Sequence, residues 1–227
     1  MWKGFLAGLV VANGFEWFAH KYVLHGVHRP GKSRYSPVPE SMRSHWEHHR
    51  IVRKTEFSDF GYVEGLDNWR TRNEIVSLAV VATVFGLSFY PFSKGMSLAA
   101  LYSAGNYYYL HRRAHLEPEW AKKKLPWHYD HHMNSNQDAN WCVTKPWFDY
   151  LLGTRVISLA DLQEQNPLGL SLPGPISKKL NRWAEQYFPV KSANASTKDE
   201  KYCKKYGSEA VKYAGYGLKQ GFVVICQ

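Results

Sequence analysis

The chain has 227 residues and a formal net charge of +10, from 29 Lys plus Arg against 19 Asp plus Glu. That length supports one substantial domain with its own core. Its three cysteines, Cys142, Cys203 and Cys226, show no Cys-x-x-Cys spacing, which argues against a disulfide framework and a thiolate zinc site. A basic excess suits nucleic acid or an anionic membrane face. The positive residues flank apolar stretches and form no recognisable nucleic-acid module, so no nucleic-acid partner is expected.

Three apolar stretches organise the N-terminal two thirds. The first runs from Gly4 to about Ala19 and does not end like a signal peptide, because Glu16, Trp17 and His20 stand where small residues would be needed. The second runs from Ile75 to Phe92 and the third from about Met96 to Leu110. Tyr90-Pro-Phe-Ser-Lys-Gly95 separates those two as a turn, so they read as a helical hairpin. Crossing a bilayer takes roughly 20 apolar residues, which makes each stretch marginal. If all three cross, residues 26–73 and everything after His111 face one compartment. Those regions hold all the Lys and Arg except Lys3, Lys21 and Lys94. The positive-inside rule makes that compartment the cytoplasm.

Residues 111–153 read as short helices punctuated by Pro118, Pro126 and Pro146. The expected organisation is a membrane and metal-binding core over 1–155, a cytoplasmic helical extension over 156–189, and a linker and tail over 190–227. The expected fold class is all-α, with integral membrane helices beneath a cytoplasmic helical cap.

Eleven histidines all fall between His20 and His132, and ten form four groups. These are His20 and His25; His45, His48 and His49; His111 and His115; and His128, His131 and His132. Helical positions three and four apart share a face, so each His-x-x-His-His places three imidazoles on one stripe, and His111 aligns with His115. His20 and His25 do not align in a regular helix. Either a π-bulge lies there or His25 falls just past the helix end, with Gly26 as its cap. His28 belongs to no group and reads as a surface residue. Ten imidazoles exceed what one ion accepts, so they suggest a dinuclear site, and imidazole alone does not choose among Zn, Cu, Fe and Ni.

Metal-binding imidazoles hand their second nitrogen to a carboxylate, carbonyl or water. Glu16, four residues before His20 in an apolar stretch, is the leading candidate for such support, followed by Asn106 and Asn140. Glu47 and Asp130 lie off the histidine stripes and read as solvated. Trp46, Trp120, Trp127, Trp141, Trp147 and the run Tyr107-Tyr108-Tyr109 suit an interfacial belt, with an acyl channel as the alternative.

The order His-x4-His, His-x2-His-His, His-x3-His, His-x2-His-His resembles the fatty acid hydroxylase superfamily of integral membrane oxygenases. The likeness covers residues from about Gly14 to Thr154. It includes the ending Asn140 to Thr154 with its Phe-Asp-x-x-x-Gly-Thr element. The pattern is most similar to the fatty acid 2-hydroxylases. His-Lys-Tyr-Val-Leu-His-Gly also looks like the start of carotenoid hydroxylases, and sterol desaturases share the ending.

The resemblance implies a four-helix membrane core and two iron ions held by the ten histidines, with zinc as a substitute in purified protein. It implies dioxygen as co-substrate, a membrane lipid as substrate and a separate electron-donor protein. His48, His49, His131 and His132 form the expected catalytic heart. A zinc-dependent hydrolase and a non-enzymatic metal-binding membrane protein are the competing readings. The hydrolase lacks a His-Glu-x-x-His signature, and catalytic zinc usually has three protein ligands.

Overall fold

A computed structural model describes residues 1–26, 40–134, 138–158, 160–188, 190–192, 212–213 and 223–224. His28, Cys203, Cys226 and most of the expected linker and tail lie outside the described residues. The described chain is mostly helical, in agreement with the all-α expectation.

Helix α1 spans Trp2–Phe18 and runs directly into a π-helical segment, Ala19–Leu24. Helix α2 covers Glu40–Lys54 and a short α3 covers Gly61–Glu64. The hairpin follows, with α4 over Trp69–Phe89 and α5 over Lys94–Leu116. Both hairpin helices begin earlier than the apolar stretches, and α5 ends later. Capping explains the earlier starts: the Asn68 side chain accepts from the Arg70 N–H at 3.0 Å and the Ser93 hydroxyl from the Met96 N–H at 3.3 Å. Each cap satisfies an N-terminal donor that the apolar pattern does not reveal.

Three short helices complete the core: α6 over Pro118–Lys124, α7 over Pro126–Met133 and α8 over Trp147–Leu151. Pro118 and Pro126 start their helices rather than interrupt them. Proline suits the first turn, where its missing N–H has no partner to lose.

Helix α5 packs against both α1 and α4. Gly8 permits the close α1–α5 approach, since a Cβ there would lie 2.5 Å from the Ala99 Cβ. The outward faces of these helices are apolar, with Leu6 and Val10 on α1, Val76, Val80, Val84 and Leu87 on α4, and Leu98 and Leu101 on α5 all exposed. Of the three, only α4 is long and apolar enough by itself to cross a membrane. Helix α1 has 17 residues, and the last turns of α5 carry His111, Arg112, Arg113 and His115.

The segment after Thr154 is tied to the core. Strand β1, Val156–Ile157, pairs in parallel with β2, Lys191–Ser192, and helix α9 spans Gly174–Tyr187 between them. Arg155 is buried and bonds Glu164 at 2.7 Å, and the Trp147 indole N–H donates to the Leu168 carbonyl at 2.9 Å. A second pair, β3 (Lys212–Tyr213) and β4 (Val223–Val224), is antiparallel.

Candidate metal centre

The π-helical segment resolves the awkward first pair. The His25 N–H bonds the His20 carbonyl at 3.0 Å, an i to i+5 closure that brings both rings to one side, with centroids 5.0 Å apart. His25 is also the residue that ends the segment, so both expected routes to alignment contribute.

The ten grouped histidines converge into two adjacent sets. His20, His25, His49 and His131 form one, and His48, His111, His115 and His132 the other. In each, the ligand atoms all lie within 4.8 Å of one another. His45 joins the first through its Nε2, 2.9 Å from that of His25. His128 joins the second through its Nε2, 3.2 Å from that of His115. Opposite nitrogens on one ion, at about 2.1 Å each, lie about 4.2 Å apart, so the sets are near ligand dimensions.

The triads do not each serve one centre along a single stripe. His45 and His49 turn to the first set while His48 turns to the second. On α7 the arrangement is exchanged, with His128 and His132 in the second set and His131 in the first. Positions three and four apart flank the helix axis by about 100° in total, enough for one helix to face two neighbouring centres. His49 and His132 meet at the seam, with ring centroids 4.1 Å apart.

Hydrogen bonding settles which nitrogens face inward. The Nδ1 of His20 lies 2.5 Å from the Trp141 carbonyl, that of His131 2.7 Å from the Ala139 carbonyl, and that of His115 2.8 Å from the Phe57 carbonyl. A carbonyl only accepts, so each Nδ1 carries the proton and each Nε2 is a bare lone pair. The His48 Nδ1 likewise donates to Asp59 at 2.8 Å, and the His111 Nδ1 donates to Glu74 at 2.7 Å.

The Nε2 atoms of His48 and His115 therefore confront each other at 3.1 Å with no proton between them. The Nε2 atoms of His20 and His131, and both ring nitrogens of His49 and His132, are buried without a partner. Buried unpaired acceptors are costly, and a cation among them removes the cost. The donor set fits a pair of metal ions.

Protonation states agree. Burial first, then the neighbouring imidazoles, hold His45, His49, His128 and His132 well below the ordinary histidine range. Burial also brings His131 down to about 4. Burial works against the Asp59 carboxylate, yet its His48 and Arg70 contacts keep it at about 2. Neutral imidazoles with anionic supports are the state in which metal ligation occurs.

No family model matches the chain, and neither curated proteins nor solved structures give a significant match.

The predicted supporting residues act less directly than expected. Glu16 shows no bond to His20; its carboxylate accepts from the Val143 N–H, from the Thr144 N–H at 2.8 Å and from the Thr144 hydroxyl at 2.6 Å. Asn140 is buried and clamps Val156 through both its amide atoms, at 2.8 and 2.9 Å. Both thus brace the loop whose Ala139 and Trp141 carbonyls hold His131 and His20. Asn106 lines a smaller cavity of about 120 Å³ beside Glu16 and Asn13, one that no histidine lines.

Asp130 corrects the solvated reading. It is fully buried and bonds Arg155 at 3.1 Å, because the 155–158 segment folds over that face of α7. Glu47 does pair at the surface, with Arg50. Trp127 and Trp141 are buried rather than belt residues: the Trp127 N–H donates to the Val143 carbonyl at 2.9 Å, and Trp141 packs on His20, His25 and His131.

Asp59, Glu74 and Tyr62 were not anticipated. Tyr62 donates to Glu74 at 2.5 Å beside His111. Glu74 carried a signal comparable to that of Glu16, a lone acid at the edge of an apolar stretch. Asp59 carried none, since no helical spacing relates it to His48.

The Phe-Asp-x-x-x-Gly-Thr element acquires a physical role. The Asp149 carboxylate accepts from the Trp141 N–H at 2.8 Å, the Cys142 N–H at 2.9 Å and the Thr154 hydroxyl at 2.7 Å. Gly153 takes a positive φ of 63°, which lets the chain turn back toward Asp149. The element locks the loop that orients two histidines of the first set.

Proposed function

We propose that this protein is a membrane-embedded di-iron oxygenase that hydroxylates the hydrocarbon part of a lipid acyl chain. The observation that carries this reading is one cavity of about 330 Å³ that joins the histidines to an apolar interior. His20, His45, His48 and His111 stand at one end. Phe85, Phe89 and Met96 line the other, between α1, α4 and α5. Lining residues on α4 run from Arg70 to Phe89, about 28 Å along the helix at 1.5 Å per residue. A mostly apolar space of that length suits an extended alkyl chain.

The residues have separable tasks. The ten histidines supply neutral nitrogen donors, five to each ion. Asp59, Glu74 and the carbonyls of Phe57, Ala139 and Trp141 hold ring nitrogens and fix the tautomers. Apolar side chains along α1, α4 and α5 exclude water and align the chain with the histidine end. Two iron ions would supply the dioxygen-dependent oxidation of an unactivated C–H bond, which no side chain performs. The apolar outer faces of α1, α4 and α5 favour a bilayer around them. The charge pattern favours the histidine end on the cytoplasmic side, where a separate protein would deliver electrons.

Anaerobic purification followed by metal analysis and turnover tests the reading. About two irons per chain with oxygen-dependent hydroxylated lipid is the expected result. A zinc protein with hydrolytic turnover, or an iron-loaded protein that leaves all lipids unchanged in the presence of reductant, would remove it. Comparing lipids of cells with and without the gene identifies the substrate.

A further inference from the structure

The histidine end of the cavity contains more than ligands and their supports. Arg70 and Asn73 lie three residues apart near the start of α4, on one helix face, and both line the cavity. The Arg70 guanidinium donates through one terminal nitrogen to Asp59 at 2.9 Å, but its Nε is buried without a partner. The Asn73 Nδ2 is also buried without a partner. Two unsatisfied donors at one place are uncommon in a folded chain, because each forfeits the water it had when unfolded. Neither donor is hydrogen-bonded to an imidazole, and a cation cannot accept a hydrogen bond, so metal binding would leave both unsatisfied.

We propose that Arg70 and Asn73 are the recognition site for the head of the lipid substrate, and that the head is a neutral oxygen acceptor. Its class is an amide or ester carbonyl, as in an acyl chain carried on an amine or alcohol, rather than a free carboxylate. The inference rests on the reading of the cavity as an acyl channel.

Charge chooses between the two head types. The Arg70 charge is already matched by Asp59, and Glu74 stands four residues along the same face. Arg72, the other cation near the start of α4, is exposed, bonds the Leu66 carbonyl and does not line the cavity, so α4 offers the cavity no uncompensated cation to attract an anion. Metal ions bound by the histidines add positive charge there, which draws an anionic head toward the ions and away from these two donors. A neutral carbonyl accepts from the donors without displacing the Asp59 ion pair. With the head so held, the alkyl chain extends along α4 toward Phe89.

A binding measurement on the full, metal-loaded chain in detergent tests this without turnover. A fluorescent alkyl probe is displaced by a long-chain N-acyl ethanolamine, by the matching fatty acid and by the matching alkane. The wild type should bind the amide most tightly. Asn73→Leu keeps the side-chain volume and removes the donor. It should weaken the amide about three- to tenfold while leaving the alkane and the metal content unchanged. Arg70→Lys keeps a cation for Asp59 but lacks Nε, and should weaken the amide by a similar factor.

The proposal is overturned if the fatty acid binds the wild type as tightly as the amide does. It is equally overturned if both variants keep the wild-type ratio of amide to alkane affinity. If no alkyl compound displaces the probe, the acyl-channel reading falls with it. If the ratio shifts as expected but the iron-loaded protein yields no oxidised product, the oxygenase reading fails and the head-group site stands.

Discussion

The two histidine sets use the same ligand chemistry but are held in different ways. In the first, His20 and His131 lean on the Trp141 and Ala139 carbonyls of one loop. In the second, His48 and His111 lean on the carboxylates Asp59 and Glu74, which belong to different elements. A carbonyl fixes a tautomer and an orientation. A carboxylate does both and also raises the basicity of the imidazole. The first centre therefore depends on the fold of residues 139–154, and the second mainly on charge, with the Phe57 carbonyl holding His115 beside the two carboxylates.

The largest expected effect follows from removing a ligand on either side. His131→Ala should empty the first centre and His48→Ala the second. The affinity loss should exceed the roughly 10- to 100-fold that removal of a supporting partner costs. Activity should vanish in both variants, and full activity in both would refute the ligand assignment. Metal counts resolve whether each loss is confined to its own centre.

Asp149→Ala should come next and act on the first centre alone. Three donors lose their acceptor, and at about 1–3 kcal/mol for each buried unsatisfied group the protein should lose at least about 3 kcal/mol of stability. Thermal unfolding measures the loss. Metal analysis should show the first centre depleted before the second, and the opposite order would break the contrast.

Asp59→Asn reverses the pattern. It keeps the shape and an acceptor for His48 but removes the anion, so the second centre should weaken by about 10- to 100-fold. Metal titration of that variant reads the change, and the first centre should titrate as in the wild type. Equal weakening of both centres would show that the two are not separately supported.

Acidification should have the mildest effect near neutrality. Burial depresses His131 from 6.5 to about 4, so the unfolded chain takes up a proton between those values that the folded chain refuses. Stability of the metal-free protein should therefore be unaffected by this group above pH 6.5 and fall as the pH drops toward about 4. Unfolding midpoints of metal-free protein across that range check the sign. A rise in stability on acidification would contradict it.

How much of this was legible in the chain differs between the ligands and their supports. The ten histidines stand out by spacing and by confinement between His20 and His132, and the structure brings all ten together. The helical hairpin was visible in its apolar runs and turn, though not its capped ends at Asn68 and Ser93. The supports were mostly hidden. Glu16 was noticed for its place in an apolar stretch, but the partner it meets lies more than 120 residues away. Asp130 sits inside a triad, and nothing nearby shows that Arg155 covers it.

Local chemistry is written in residue order, so the chain alone determined the ligand type, the need for two centres and the helical framework that spaces the imidazoles. It could not allocate ligands between the centres. Each triad lies on one short helix, and only the packing of α2 against α7 decides which imidazole turns to which side. Nor could it reveal the carbonyl cradle of residues 139–141. Those bonds join positions distant in sequence, and backbone carbonyls are the same for every residue type. The side chains carried the identity of the site, and the tertiary fold carried its geometry.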